Sequence, residues 1–251
     1  WDLDMADMDG DGDIDAFVAN IAQSNKIWIN DGNGVFSSNG QSLGTSKSYG
    51  VELKDLDGDG DLDLYVVNNP GPLGQQFTDM STKNVLYQNN GNGTFTDVSI
   101  ETNVDDQGYG MGCIFGDYDN DGDLDIFITN GSSFQQLDQP QYLIAQRDQL
   151  FRNEGGEIFA DVSEASGIAS MPLRVGRGAA FGDYDNDGDV DIFVVNNHEQ
   201  AVLLRNEAQS YNWLHVKLIG TLGNRDGIGS KIRLRSGSMN QLREIIAGSS
   251  Y

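Results

Sequence analysis

The chain has 251 residues, with 39 acidic against 15 basic side chains, a net charge of −24 and a single cysteine. That length buries a substantial core, and the acidity argues against nucleic acid and anionic membrane surfaces as partners. One cysteine makes no disulfide within the chain, and no apolar run approaches a bilayer span or a secretory leader.

In chain order the first element is a nine-residue word at 7–15, DMDGDGDID. It recurs at 55–63 (DLDGDGDLD), 117–125 (DYDNDGDLD) and 183–191 (DYDNDGDVD). The spacings from first Asp to first Asp are 48, 62 and 66 residues, which marks a repeat architecture. The words hold 20 of the 39 acidic residues, so without them the net charge is only −4. Most of the acidity is therefore local to four sites. It is also unevenly spread: residues 1–210 carry a net −28 and residues 211–251 a net +4, which places a domain boundary near 208–211.

Each word leads into a short apolar run ending in Asn, at 16–20, 64–68, 126–130 and 192–196. β-Branched and aromatic residues stopped by a turn former predict a strand buried on both faces. A second apolar run precedes the last three words, clearest at 113–116 (CIFG) and 179–182 (AAFG), so each word joins two strands. Further on, 27–36, 85–96 and 150–159 each pair an apolar run with a Gly-rich turn and a second run, the pattern of a hairpin. One unit is then four strands, the content of a propeller blade. The extra length of units two and three falls at 70–83 and 132–147, polar stretches expected to be loops. Unit four has a third strand at 202–205 but lacks the Gly hairpin and the final strand, so its blade is expected to be completed elsewhere or to stay open.

From residue 211 the pattern changes. The stretches 213–219 (WLHVKLI) and 231–235 (KIRLR) alternate apolar with polar or basic residues, which predicts two half-exposed strands joined by the Gly-rich turn 223–229. The Gly-rich turn lacks the register of a phosphate loop. Lys231, Arg233 and Arg235 make a basic strand face, read as solvated or turned toward the repeats. His198 is read as a loop residue and His215 as an exposed strand residue, and neither has the company of a zinc site. Cys113, in an apolar setting, is read as a buried, inert thiol.

Five carboxylates at alternate positions repel one another unless a cation fills the turn. Oxygen-only ligands suit a hard ion, and Ca²⁺ takes about six to eight oxygens in a forgiving geometry. Mg²⁺ keeps more water and uses fewer carboxylates. The candidate ligands are Asp7, Asp9, Asp11, Asp13 and Asp15 in the first loop, then Asp55, Asp57, Asp59, Asp61 and Asp63. The third loop offers Asp117, Asp119, Asp121, Asp123 and Asp125, and the fourth Asp183, Asp185, Asp187, Asp189 and Asp191. Positions 1, 3, 5 and 9 would give side chains and position 7 its backbone carbonyl, with Gly at position 6 permitting the sharp turn. About four calcium ions, one per loop, are expected. An EF-hand shares the first six positions but needs Glu at position 12, where Val18, Val66, Ile128 and Val194 stand. Solvated turns do not explain four copies of one Asp spacing. A glycosidase pair would need one differentiated set of carboxylates rather than four alike.

The word D-x-D-x-D-G-D-x-D between Phe115-Gly116 or Phe181-Gly182 and an apolar strand resembles the FG-GAP/VCBS repeat. The resemblance covers residues 1 to about 207, although units one and two have Met5-Ala6 and Leu53-Lys54 in place of Phe-Gly. It implies a calcium-loaded β-propeller with the same ligand set, usually of about seven blades. The tail, with Asn212-Trp213, Asp226-Gly227-Ile228-Gly229 and Gln241-Leu242-Arg243-Glu244, is similar to part of the ASPIC/UnbV module. That combination implies a secreted or cell-surface protein of recognition, adhesion or scaffold type, with no catalytic residues to carry over.

The expected fold is therefore all-β: four propeller blades over 1–208 and a small partial β module over 211–251. Trp1 already lies inside a repeat, so a preceding portion is expected. The partner is expected to be a protein or glycan, with neither nucleic-acid binding nor membrane insertion, and open blade edges leave self-assembly as a further expectation. The rival reading is the calcium-stabilised, non-catalytic part of a polysaccharide-acting secreted enzyme.

Overall fold

The computed structural model of the chain describes residues 2–20, 23–44, 47–69, 83–106, 108–135, 143–156 and 158–207. Of the C-terminal part it describes 214, 216–221, 225, 227, 230–237 and 239–245. The described fold is all-β apart from one 3-10 turn, Ile168–Ser170. No helix among these residues is long and apolar enough to cross a membrane.

Unit one is a four-stranded antiparallel sheet of β1 (Leu3–Ala6), β2 (Asp15–Val18), β3 (Lys26–Asn30) and β4 (Phe36–Ser38), in that spatial order. Unit two repeats it with β5 (Ser48–Lys54), β6 (Asp63–Asn68), β7 (Val85–Asn89) and β8 (Phe95–Asp97). In unit three β9 (Gly110–Gly116), β10 (Asp125–Gln135), β12 (Gln149–Asn153) and β13 (Phe159–Asp161) do the same, and β11 (Leu143–Ala145) pairs with the far end of β10. Among the described residues unit four has three strands, β14 (Gly176–Gly182), β15 (Asp191–Asn196) and β16 (Val202–Leu204).

The sheets stack face to face in chain order, the first strand of each against the first strand of the next. Alternation along β6 shows how the core arises: Leu64 and Val66 pack toward unit one, while Tyr65 and Val67 pack toward unit three. A third cluster joins units three and four through Phe127, Leu150, Ile192 and Val194. The Phe-Gly pair has a packing reason. A Cβ on Gly116 would lie 2.5 Å from the ring of Phe181, so the glycine of one unit makes room for the phenylalanine of the next. Cys113 is buried, and that burial pushes its thiol pKa well up, as expected of an inert thiol.

Three expectations need correction. Burial on both faces holds for β6 and for the start of β10, but in β15 Phe193 and Val195 are 46% and 47% exposed. Among the described residues, the first and fourth sheets each pack against one other repeat sheet. The stretch 132–147 is not all loop, because β10 runs on to Gln135 and β11 returns beside it. The hairpin expected between 213–219 and 231–235 does not form: the described residues of 214–220 lie in no strand. Instead β17 (Lys231–Ser236) pairs with β18 (Met239–Glu244), with Ser236 opposite Met239. A two-residue connection headed by Gly237 at positive φ closes with less entropy loss than the long Gly-rich segment. Residues 70–82, 136–142, 213, 215, 222–224 and 228–229, on which other expectations fall, lie outside the described residues.

Candidate metal centres

Each acidic word leaves the first strand of its sheet and enters the second, so all four loops occupy equivalent places in their units. The turn is built by local hydrogen bonds. The position-5 carboxylate accepts the N–H of position 7 in every loop, as Asp13 N to Asp11 Oδ1 at 2.9 Å and Asp61 N to Asp59 Oδ1 at 2.8 Å. The third and fourth loops repeat this at 2.9 and 3.1 Å. The position-1 carboxylate accepts from the Gly of position 6, as in Gly12 N to Asp7 Oδ2 at 3.2 Å and Gly122 N to Asp117 Oδ2 at 3.1 Å. Position 4 needs a left-handed backbone, with φ of 78° at Gly10 and Gly58 and 61° at Asn120 and Asn186. Gly and Asn are the residues that tolerate it, which explains why position 4 alternates only between these two.

Position 9 is held differently. Asp15, Asp63, Asp125 and Asp191 are all at most 1% exposed. One oxygen of each accepts the N–H of position 2, from Met8, Leu56, Tyr118 or Tyr184 at 2.8–3.1 Å. The other accepts the N–H of Asn30, Asn89, Asn153 or Asn206 at 2.8–3.0 Å, at the end of the third strand. This carboxylate is thus a buckle between loop and sheet. The last three of these asparagines also bridge units: the Asn89 amide donates to Leu62 O and across to Met8 O. Asn153 reaches Leu124 O and Leu56 O, and Asn206 reaches Val190 O and Tyr118 O. The sequence reading missed these asparagines, although their place at the end of each third strand was the available signal.

Carboxylate oxygens of positions 1, 3 and 9 come within 4.8 Å of one another in every loop: Asp7, Asp9 and Asp15; Asp55, Asp57 and Asp63; Asp117, Asp119 and Asp125; Asp183, Asp185 and Asp191. Positions 5 and 7 fall outside these groups, and one oxygen of the position-5 carboxylate accepts within the turn. In the third loop Asp117 Oδ1 and Asp119 Oδ1 are buried without a hydrogen-bond partner. Burial raises Asp117 to about 6, and it raises Asp125 to about 8 despite the N–H groups of Asn153 and Tyr118. Such a set of crowded, partly desolvated oxygens fits a divalent cation, which supplies the charge they lack.

Basic residues reach this face too. Lys231 Nζ lies 3.5 Å from Asp7 Oδ2. Burial lowers the pKa of Arg243, and Asp117, Asp55 and Asp123 push it back up. The expected basic face of 231–235 is present, with Lys231, Arg233 and Arg235 exposed on β17. His198 is exposed in a bend at a φ of 57°.

Two comparisons bear on this arrangement. Residues 7–66 and 75–128 match the family model of the FG-GAP-like repeat. The chain is also 32% identical over 115 residues to cartilage acidic protein 1 of Xenopus tropicalis, and 34% over 114 residues to that of Homo sapiens. Each alignment takes in 45% of this chain but only 16% and 15% of those relatives, so the chain matches a small part of their length. The repeat match encloses the first three acidic loops, and the fourth has the same carboxylate geometry. The chain is therefore a repeat protein, and its residues 7–66 and 75–128 match the FG-GAP-like repeat model.

Proposed function

We propose that this chain is a secreted, calcium-binding β-propeller segment that acts in recognition, adhesion or scaffolding and has no catalytic role of its own. The repeats occupy 1–208, and 211–251 is part of an ASPIC/UnbV-like module. Each loop holds one Ca²⁺ through the side chains of positions 1, 3, 5 and 9 and the carbonyl of position 7. The observation that carries this reading is the fourfold convergence of positions 1, 3 and 9 within 4.8 Å. Position 5 would have to share its carboxylate between the turn and the ion. The FG-GAP-like repeats and the likeness to cartilage acidic protein 1 support an extracellular setting, where weak calcium sites are filled. A protein or glycan would be the partner, met by the loops.

A ligand that binds only the folded state raises stability by RT ln(1 + [L]/Kd), about 2.7 kcal/mol per site at a hundredfold excess over Kd. The melting temperature is therefore expected to rise steeply from chelator to millimolar Ca²⁺. An unchanged transition across that range would remove the calcium assignment.

A second reading, self-assembly of copies, holds if the outer faces of units one and four are as open in the whole protein as they are among the described residues. On unit one Leu3, Met5 and Trp28 are 54%, 42% and 39% exposed, and unit four exposes Phe193 and Val195. These faces have the shape of a unit-to-unit contact, and a second copy's unit four would present the carbonyl of Tyr184 to Asn30, as Met8 does to Asn89. Sedimentation at rising concentration should show dimers or longer assemblies. A strictly monomeric species would exclude them.

A further inference from the structure

The four acidic words are almost identical, but the side chain that faces their third position is not. The residue before each bridging asparagine is Ile29, Gln88, Arg152 or Arg205. In unit one, a Cβ placed on Gly93 would lie 3.1 Å from both Asp9 Cβ and Ile29 Cδ1, so the apolar Ile29 and Asp9 flank the same glycine. In unit two, Gln88 Nε2 donates to Asp57 Oδ2 at 2.9 Å. In unit three, Arg152 Nε lies 3.9 Å from Asp119 Oδ2. In unit four, Arg205 reaches Asp185 Oδ2 at 3.0 Å and Asp187 Oδ2 at 3.6 Å. Glu154 and Glu207 pair with the two arginines and hold them at the loops. The series runs from apolar to neutral amide to cation at one structural position.

We propose that this third-strand position tunes the cation affinity of each loop, so that Arg152 and Arg205 make the loops at 117–125 and 183–191 bind a divalent cation more weakly than the same loops would without them. The proposal rests on the calcium reading and deepens it. A guanidinium on a position-3 oxygen must give up that oxygen, or share it with an ion of like charge a few ångströms away. The hairpin brings cations of its own to this face, so the effect of the third-strand position is read by replacing it rather than by ranking the four loops. Lys231 touches position 1 of the first loop, and Arg243 is shared between the second and third. Arg152 and Arg205 have side chains 37% and 50% exposed, so solvent screens their effect. An exposed charge pair of this kind changes affinity by about threefold to fivefold, somewhat more for the double contact of Arg205.

The test is isothermal titration of the chain with CaCl₂, after chelator removal, on wild type, the double variant Arg152→Gln/Arg205→Gln and the reciprocal Ile29→Arg. The double variant should bind calcium more tightly than wild type at two sites, by about threefold or more, and Ile29→Arg should weaken one site by a similar factor. The difference between wild type and variants should narrow in high salt, because exposed charges are screened. Circular dichroism of each variant in calcium checks that the sheets are intact. Calcium binding with the same constants in wild type and folded variants overturns the graded sites and leaves the calcium reading standing. No calcium binding by the folded wild-type chain overturns both.

Discussion

Position 9 of each acidic loop has two duties that can be separated by mutation. Asp63 is buried and accepts the N–H groups of Leu56 and Asn89, so it supports the sheet whether or not an ion is present. Its neighbour in the cluster, Asp57, accepts only at the surface of the loop, from Asp59 N and the Gln88 amide. Removing an acceptor leaves a buried donor unpaired, at about 1–3 kcal/mol each. Asp63→Ala should therefore lower unfolding free energy by about 2–5 kcal/mol in chelator, measured by urea titration. Asp57→Ala should change little in chelator and should lose its stabilisation by calcium. Equal losses for the two variants in chelator would mean that position 9 is not a buckle. Asp125 shows what a cation would relieve in such a loop. Burial raises it to about 8, above the unfolded value, so a cation bound there would compete with a proton.

The stacking of whole units depends on the same asparagine in each third strand. Asn89, Asn153 and Asn206 donate both within their own unit and to the unit before, whereas Asn30 donates to Ile14 O of its own unit. Asn153→Ala deprives two buried carbonyls, Leu56 O and Leu124 O, of their donor. It should therefore destabilise by about 2–4 kcal/mol, with Asn30→Ala nearer about 1 kcal/mol, in denaturant titrations. A reversed order would show that the bridge carries no weight. Much at this scale was legible in the residues. Alternation and the Asp words gave strand, loop and strand, and the Gly-rich turns gave the hairpins of units one to three. The pairing of β17 with β18 was not legible, because the alternation of 213–219 is a preference and only a partner strand turns it into a ladder. Nor was the bridge from Asn153 to Leu56 readable, since it joins residues 97 apart and depends on how sheets stack. The carboxylates that converge could be named from their spacing, but the use of position 5 by the turn needed the backbone geometry.

Across the whole molecule, charge is segregated and then brought back together. The acidic repeats carry a net −28 and the C-terminal stretch a net +4, and the hairpin of β17 and β18 touches the loop face of the repeats. Lys231 sits on Asp7 in unit one, a Cβ on Gly60 in unit two would meet Arg233 at 3.6 Å, and Arg243 feels Asp55 of unit two with Asp117 and Asp123 of unit three. The hairpin thus spans three loops and serves as their counter-charge when no ion is present. Calcium would take over that role, four ions offsetting about eight of the loops' charges. The attraction that holds the hairpin should then weaken, and salt should weaken it further by screening. Trypsin cleaves after Lys231, Arg233, Arg235 and Arg243, so limited proteolysis reads the contact directly. Cleavage within 231–243 should be slow in chelator at low salt and faster with millimolar calcium, while the repeats become more resistant. Arg243→Gln should speed cleavage in chelator and make it insensitive to calcium. Cleavage at 231–243 that slows when calcium is added would mean that the hairpin docks on the loaded loops, and that its basic residues serve the filled sites rather than the empty ones.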